Sequence, residues 1–200
     1  MKGLYVFLGI LLLVVLIGGC SYNGMNTGRL TVNQKWANVQ TEYQRRADLI
    51  PNLVATVKGA ANFEKSTYVQ VAMARAGNLK NLSQVSADQL TPEKLAQIQK
   101  ASNEAQSAAR MAINIAVEQY PQLKANQNFL QLQDQLEGTE NRIKYARNEF
   151  NDATTAYNIK VTNFPGNIMA GVFGFKEKPL FQADLGSEKR PNVDFESKEK

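Results

Sequence analysis

Histidine is absent from the 200 residues. That removes the most frequent general base and the most frequent metal ligand together. A Ser-His-Asp triad, a Cys-His pair and an HExxH zinc site are excluded. So are the Glu-x-x-His motifs from which helical proteins build di-metal centres. Cysteine occurs once, at Cys20, so no intrachain disulfide can form and no zinc cluster can be assembled from several thiolates. No Gly-rich phosphate loop is present. Lys and Arg alternate with acidic and amide residues, so the formal net charge of +5 never condenses into a stripe able to track phosphates. The expectation is a non-enzymatic protein with no catalytic residues, no cofactor, no metal site and no nucleic-acid partner.

What is present describes an ordered chain. It is 44% hydrophobic and 20% charged, and long enough for one domain with a real core. Met1-Lys2 forms a short positive start, followed by an apolar run from Leu4 to Leu16 broken only by Gly9. Ile17-Gly18-Gly19-Cys20 resembles the lipobox of bacterial lipoprotein signal peptides, in which small residues precede the scissile bond and the thiol accepts a diacylglycerol. The apolar stretch 4–19 would be about 24 Å long as a helix, at about 1.5 Å per residue. That is shorter than a hydrocarbon core of about 30 Å. A cleaved signal with lipidation at Cys20 is therefore the first expectation, and an uncleaved single-pass anchor the alternative. Either tethers the body to a bacterial membrane, facing outside the cytoplasm.

The body is organised around Lys124 to Pro165, which reads as one long amphipathic helix. Phe129, Leu132, Leu136, Ile143, Ala146, Phe150, Ala153, Tyr157, Val161 and Phe164 step by three and four, with Thr139 filling the one gap. Such a coiled-coil-like seam faces a partner helix. A second seam runs through Val32, Trp36, Val39, Tyr43, Arg46, Ile50, Leu53, Val57 and Ala60. Arg46 interrupts it, and Pro51 predicts either a kink near Arg46-Ala47 or a break near Asp48 with a new helix beginning at Pro51. A shorter amphipathic stretch starts at Phe63. Thr91-Pro92-Glu93 then opens another helix, with Thr as cap and Pro in the first turn. Its seam is Leu95, Ile98, Ser102, Ala105, Ala109, Ala112 and Ala116, and Tyr120-Pro121 ends it.

The fold class predicted is all-α, an antiparallel four-helix bundle with long helices and an N-terminal hydrophobic signal or anchor. The expected organisation is a signal or anchor at 1–19, a spacer at 20–31, the bundle at 32–165, an apolar segment packing on the bundle end at 166–181, and a charged disordered tail at 182–200. The apolar stretch Ile168–Phe175 has two prospective places, over the bundle end or on the membrane surface.

Several strings are distinctive. Tyr22-Asn23, the run Gln44 to Val54 (QRRADLIPNLV), Val57-Lys58-Gly59, Ala74-Arg75-Ala76 and Tyr120 to Asn126 (YPQLKAN) with Asn128-Phe129 resemble the LemA family. Glu140-Asn141, Ala146-Arg147, Asn151-Asp152, Tyr157-Asn158 and Phe164-Pro165-Gly166-Asn167 extend the resemblance over nearly the whole chain, roughly Tyr22 to Phe181. Phe63 departs from it, since many relatives carry histidine before this glutamate. The resemblance implies an antiparallel four-helix bundle on a membrane tether in the bacterial envelope. It brings no established activity and no catalytic residues.

Two constellations stand out. Arg46, Glu140, Arg147, Asn151 and Asn158 form a candidate polar network if the stripe beside the long seam turns inward. A lone buried guanidinium would be costly, so Arg46 should pair with Glu140 or another carboxylate. The opposing reading is a solvated helix face. Asp48, Asn52, Lys58 and Glu64, with Lys124, Asn126 and Asn128, form a candidate partner surface at one bundle end, against a reading as caps and loop contacts. The function expected is a scaffold or interaction module binding an envelope protein, with self-association open. The alternative is a ligand-binding or membrane-surface protein acting through the polar stripe or the 168–175 segment.

Overall fold

The structure, a computed structural model, describes residues 2–61 and 67–182; inside the first helix the side chains of 2, 6, 10, 13–17 and 59–61 are also not described. Among the described residues the chain is all-helical. The long helices are α1 (Lys2–Ala61), α2 (Thr67–Ser83), α3 (Pro92–Gln119) and α4 (Gln127–Thr162), followed by a short α5 (Gly166–Phe173). Single 3₁₀ turns at Ala87–Gln89 and Pro121–Ala125 link α2 to α3 and α3 to α4. No helix among the described residues is long and apolar enough to cross a membrane.

The helices begin where the sequence supplies caps. Thr91 accepts from the Lys94 amide and Asn126 from the Phe129 amide, each satisfying a donor that the first turn leaves free. The long helix accordingly starts at Gln127 rather than at Lys124, because Pro121–Ala125 forms the 3₁₀ turn.

α1 is the central element, packed against α2, α4 and α5, while α3 packs chiefly on α2. The α1–α4 pair is antiparallel. Gly28 meets Tyr157, Lys35 pairs with Glu149, Glu42 with Arg142 and Arg46 with Thr139, so seven residues forward on α1 match about seven back on α4. The seam residues Val32 to Val57 are buried, as are Phe129, Leu136, Ile143, Ala146, Phe150, Tyr157 and Val161. The side chain of Ala60 is not described, and Glu64 lies outside the described residues.

Four expectations change. Residues 20–31, expected as a spacer, continue α1: Met25 is buried, and the missing side chain of Gly28 leaves the gap that the Tyr157 ring fills. Packing here overrides the low helix propensity of Gly and Asn. The break near Asp48 does not occur, since α1 runs through Pro51 even though proline cannot donate to the Ala47 carbonyl. Phe164 is exposed rather than part of the seam. It lies beyond α4, in a Phe164-Pro165 turn with a cis peptide. A side chain at Gly166 there would collide with the Lys160 carbonyl. Finally, the segment after α5 is more than an end cover. Residues 175–182 run extended along α4, and the Phe181 ring packs between Trp36 and Phe150. The charged tail expected from 182 onward lies outside the described residues apart from Gln182 itself.

This extended strap also ties α4 to the α2–α3 link. The Lys178 ammonium is buried, donating to Asp88 at 2.7 Å and to the Ala87 carbonyl at 3.2 Å. Its hydrogen bond holds the Asp88 carboxyl below the usual range, against the opposing effect of partial burial. The lowered folded-state value means that the pair stabilises fully above the ordinary Asp pKa of about 4 and stops doing so as pH falls through the folded value. Asp88 is mostly exposed, so Asp88→Asn is expected to cost no more than about 1 kcal/mol at neutral pH. Urea unfolding of both proteins checks this: the difference should close as the pH falls below the ordinary Asp range and through the lowered folded value. A difference constant with pH contradicts it.

Candidate functional site

Arg46 is 1% exposed in the middle of the helical body, the largest buried charged side chain among the described residues. Its position follows from the α1 seam, which turns it toward α3 and α4. A guanidinium has five donors in a fixed fork, and two helices, α3 and α4, supply the acceptors. Nε donates to Thr139 Oγ1 at 3.1 Å, Nη1 to Ser102 Oγ at 2.8 Å and its carbonyl at 3.4 Å, and Nη2 to Glu140 Oε2 at 3.2 Å. Thr139 in turn donates to the Leu136 carbonyl at 2.6 Å, which fixes its lone pairs toward Arg46. Burial pulls the Arg46 pKa below its ordinary value, opposed chiefly by Glu140. Glu140 is half exposed. The pair is a buried cation whose counter-ion reaches in from the surface.

The remainder of the stripe does different work. Asn151 donates to the Phe181 carbonyl (3.1 Å) and accepts from its amide (2.9 Å). Asn158, two turns on, makes the same pair of bonds with the Lys178 backbone, at 2.8 and 2.9 Å. Arg147 donates to Gln99 Oε1 at 2.8 Å and to the Gln182 carbonyl at 3.4 Å, and its guanidinium lies 4.6 Å over the Phe181 ring. Between these, Tyr157 donates to the Lys176 carbonyl at 3.0 Å, and burial raises its phenol pKa. A seven-residue spacing on α4 thus holds an extended chain by its backbone. The stripe divides in two: Glu140 serves Arg46, while Arg147, Asn151 and Asn158 hold the strap.

The residues considered as a partner surface have varied roles. Asp48 pairs with Lys80 of α2 at 3.0 Å, and Asn126 caps α4. Asn52, Lys58, Lys124 and Asn128 are exposed. The α1–α4 register brings Lys58 near the level of Lys124 to Asn128, but among the described residues no hydrogen bond or ion pair joins the two groups. Glu64 is outside the description.

Sequence reasoning missed three groups. Ser102 and Thr139 looked like tolerable interruptions in two seams, although polar residues in the seams of three helices are themselves a sign that they meet. Lys178 was hidden in a short non-periodic stretch. A surface groove of about 570 Å³ lies between α1 and α4, lined by Lys35, Asn38, Thr41, Glu42, Asn141, Arg142, Tyr145 and Glu149. Its walls are tied by the Lys35–Glu149 and Arg142–Glu42 ion pairs, and Tyr145 stands exposed on it. Among the described residues no group of His, Cys, Asp and Glu side chains could hold a metal ion.

The fold and centre define an all-helical protein pinned by a buried arginine and closed by a C-terminal strap. Residues 35–195 match the LemA family, and the chain belongs to it. It is 27% identical to Protein LemA of Metamycoplasma hominis over 146 residues, which is 72% of this chain and 61% of that protein. Shorter similarities reach Magnetosome protein MamQ 2 of Paramagnetospirillum magneticum, 36% over 66 residues, and Magnetosome protein MamQ of Magnetospirillum gryphiswaldense, 34% over 65. Each covers about a third of this chain and 24% of the relative.

Deleting Glu140 strands a buried cation, whereas deleting Arg46 leaves a carboxylate that water can solvate. Glu140→Ala is therefore expected to lower stability by about 2 kcal/mol, below the usual 3–5 because water can enter from its exposed side. Arg46→Met should stay within about 1 kcal/mol of wild type. Urea midpoints rank the two, and the reverse order contradicts the assignment.

Proposed function

We propose that this chain is a membrane-tethered, non-enzymatic scaffold or interaction module of the bacterial envelope, an antiparallel four-helix bundle held outside the cytoplasm by its N-terminus. One observation carries the reading: α1 runs unbroken through Cys20 into the central helix of the body, so a tether at Cys20 or at the apolar run before it enters the body through this one helix. A tether at its start therefore fixes the orientation of everything packed on it. Cys20 is exposed, as a lipid-accepting thiol must be. Membership of the LemA family supports the same reading.

The interior favours a structural role. Trp36, Tyr43, Arg46, Phe129 and Phe150 are fully buried side chains along the α1–α4 contact. Ligand binding through the polar stripe has less support, because Arg147, Asn151 and Asn158 hold the chain's own strap. The open α1–α4 groove, with exposed Tyr145 between two ion pairs, is the better surface for an envelope protein, since tyrosine combines a large apolar area with a polar tip.

Labelling with an alkyne-palmitate in a bacterial host tests the tether. The wild-type chain is expected to incorporate the lipid and to begin at Cys20, and Cys20→Ala to lose the label. An unlabelled chain that keeps residues 1–19 in the membrane supports the single-pass alternative. An unlabelled chain recovered from the soluble fraction contradicts the tether altogether. Photocrosslinking from position 145 in the same cells should give a discrete adduct; none, with the chain in place, contradicts the groove as the interaction surface.

A further inference from the structure

α5 is largely apolar, with Asn167 its one polar side chain, and part of its apolar surface is uncovered. From Phe164 to Phe175 there is no charged residue. The inner face packs on α1: Ala170 is buried, Met169 lies against Gly18, and the Phe173 ring meets Tyr22 edge-on at 5.1 Å. The outer face presents Ile168 and Val172 one turn apart, with Phe164 just before the helix, at 53%, 71% and 79% exposure. Large apolar side chains exposed together in this way mark an interaction surface.

Position identifies the occupant. The stretch of α1 that touches α5, Gly18 to Met25, lies on the same helix as the exposed apolar residues Leu4, Tyr5, Phe7, Leu8, Leu11 and Leu12, less than two turns beyond the last of them. Cys20 lies within that same stretch. Whichever tether is used, an apolar segment or an acyl chain on Cys20, hydrocarbon arrives beside α5. The surrounding charge is also suitable. Arg29 sits 5.5 Å from the Phe175 ring centre, and Lys160 and Lys176 are exposed nearby; among the described residues the acidic groups close to them are Glu177 and Asp88, and Asp88 is paired with Lys178. A basic rim around an apolar face matches anionic headgroups.

We infer that the outer face of α5 is a membrane-contact surface, with Phe164, Ile168 and Val172 seated at the headgroup–acyl boundary of the bilayer to which the chain is tethered. The inference rests on the tether reading above. One short helix binds a bilayer weakly, but a tether a few residues away makes its contact effectively intramolecular. The helical body is then held against the membrane instead of swinging from a single point.

The test uses the full chain in vesicles of phosphatidylethanolamine and phosphatidylglycerol brominated along their acyl chains. Trp36 is the single tryptophan and is buried, so it supplies a constant baseline. Val172→Trp is expected to lose roughly half its added emission to the bromines, as a ring within about 5–10 Å of the boundary should. Tyr145→Trp, on the groove, should lose none. Flotation with the vesicles reports the tether separately. A chain that floats with an unquenched Val172→Trp overturns the inference and leaves the tether standing. In that case blue-shifted emission means that protein, such as a second copy, covers the face, and water-like emission means that it stays in solvent. A chain that fails to float overturns both.

Discussion

A guanidinium sealed among helices has to be matched atom by atom, and the architecture depends on that requirement at Arg46. Its acceptors come from α3 and α4, while the residue itself belongs to α1. Sliding α4 by one residue against α1 would carry Thr139 and Glu140 away from the donors. The hydrophobic seam tolerates such slips more readily, because one aliphatic contact resembles the next, whereas a directional donor set does not. Burial of the charge is unfavourable in itself. What it supplies is registry, in the way a polar residue in an apolar seam fixes alignment.

With α1 and α4 in register, the other features fall into place. Gly28 meets the Tyr157 ring, and the polar edge of α4 turns toward the strap, whose backbone Asn151 and Asn158 hold. Phe181 then fills the space beside Trp36 and Phe150, and Trp36 donates to the Val85 carbonyl in the α2–α3 link at 2.7 Å. Gln40, one turn further along α1, donates to the Ser83 and Val85 carbonyls at 2.6 and 3.0 Å, fixing the same link. The result is a continuous path from the apolar start of α1 through the arginine centre to the strap. On the proposed function this path is what would keep the groove around Tyr145 at a set height above a membrane.

The all-helical class, the helix seams and the cap at Thr91 were legible because each depends on residues close in sequence: three-four spacing, or a side chain reaching three residues ahead. Arg46 was legible as an anomaly, and Glu140 as a prospective partner. Its other acceptors were not. Ser102 and Thr139 lie 56 and 93 residues away, and a hydroxyl in a seam shows no local preference for a distant guanidinium. The strap was harder still. An extended segment held by side chains of α4 has no periodicity of its own, and Lys178, buried against Asp88, looks in sequence like any charged residue near a polar tail. The glycines before Thr31 suggested a spacer because helix propensity is local, while the contact that retains Gly28 in α1 comes from Tyr157, far along the chain.

The central claim is that Arg46 acts as a registry device whose buried charge requires Glu140. The most direct measurement is the unfolding free energy of the double variant Arg46→Met/Glu140→Ala beside Glu140→Ala alone. If the single change destabilises by stranding a cation, removing that cation should restore most of the loss, leaving the double variant more stable than the single by at least about 1 kcal/mol. A double variant as unstable as the sum of its two single changes would contradict the account.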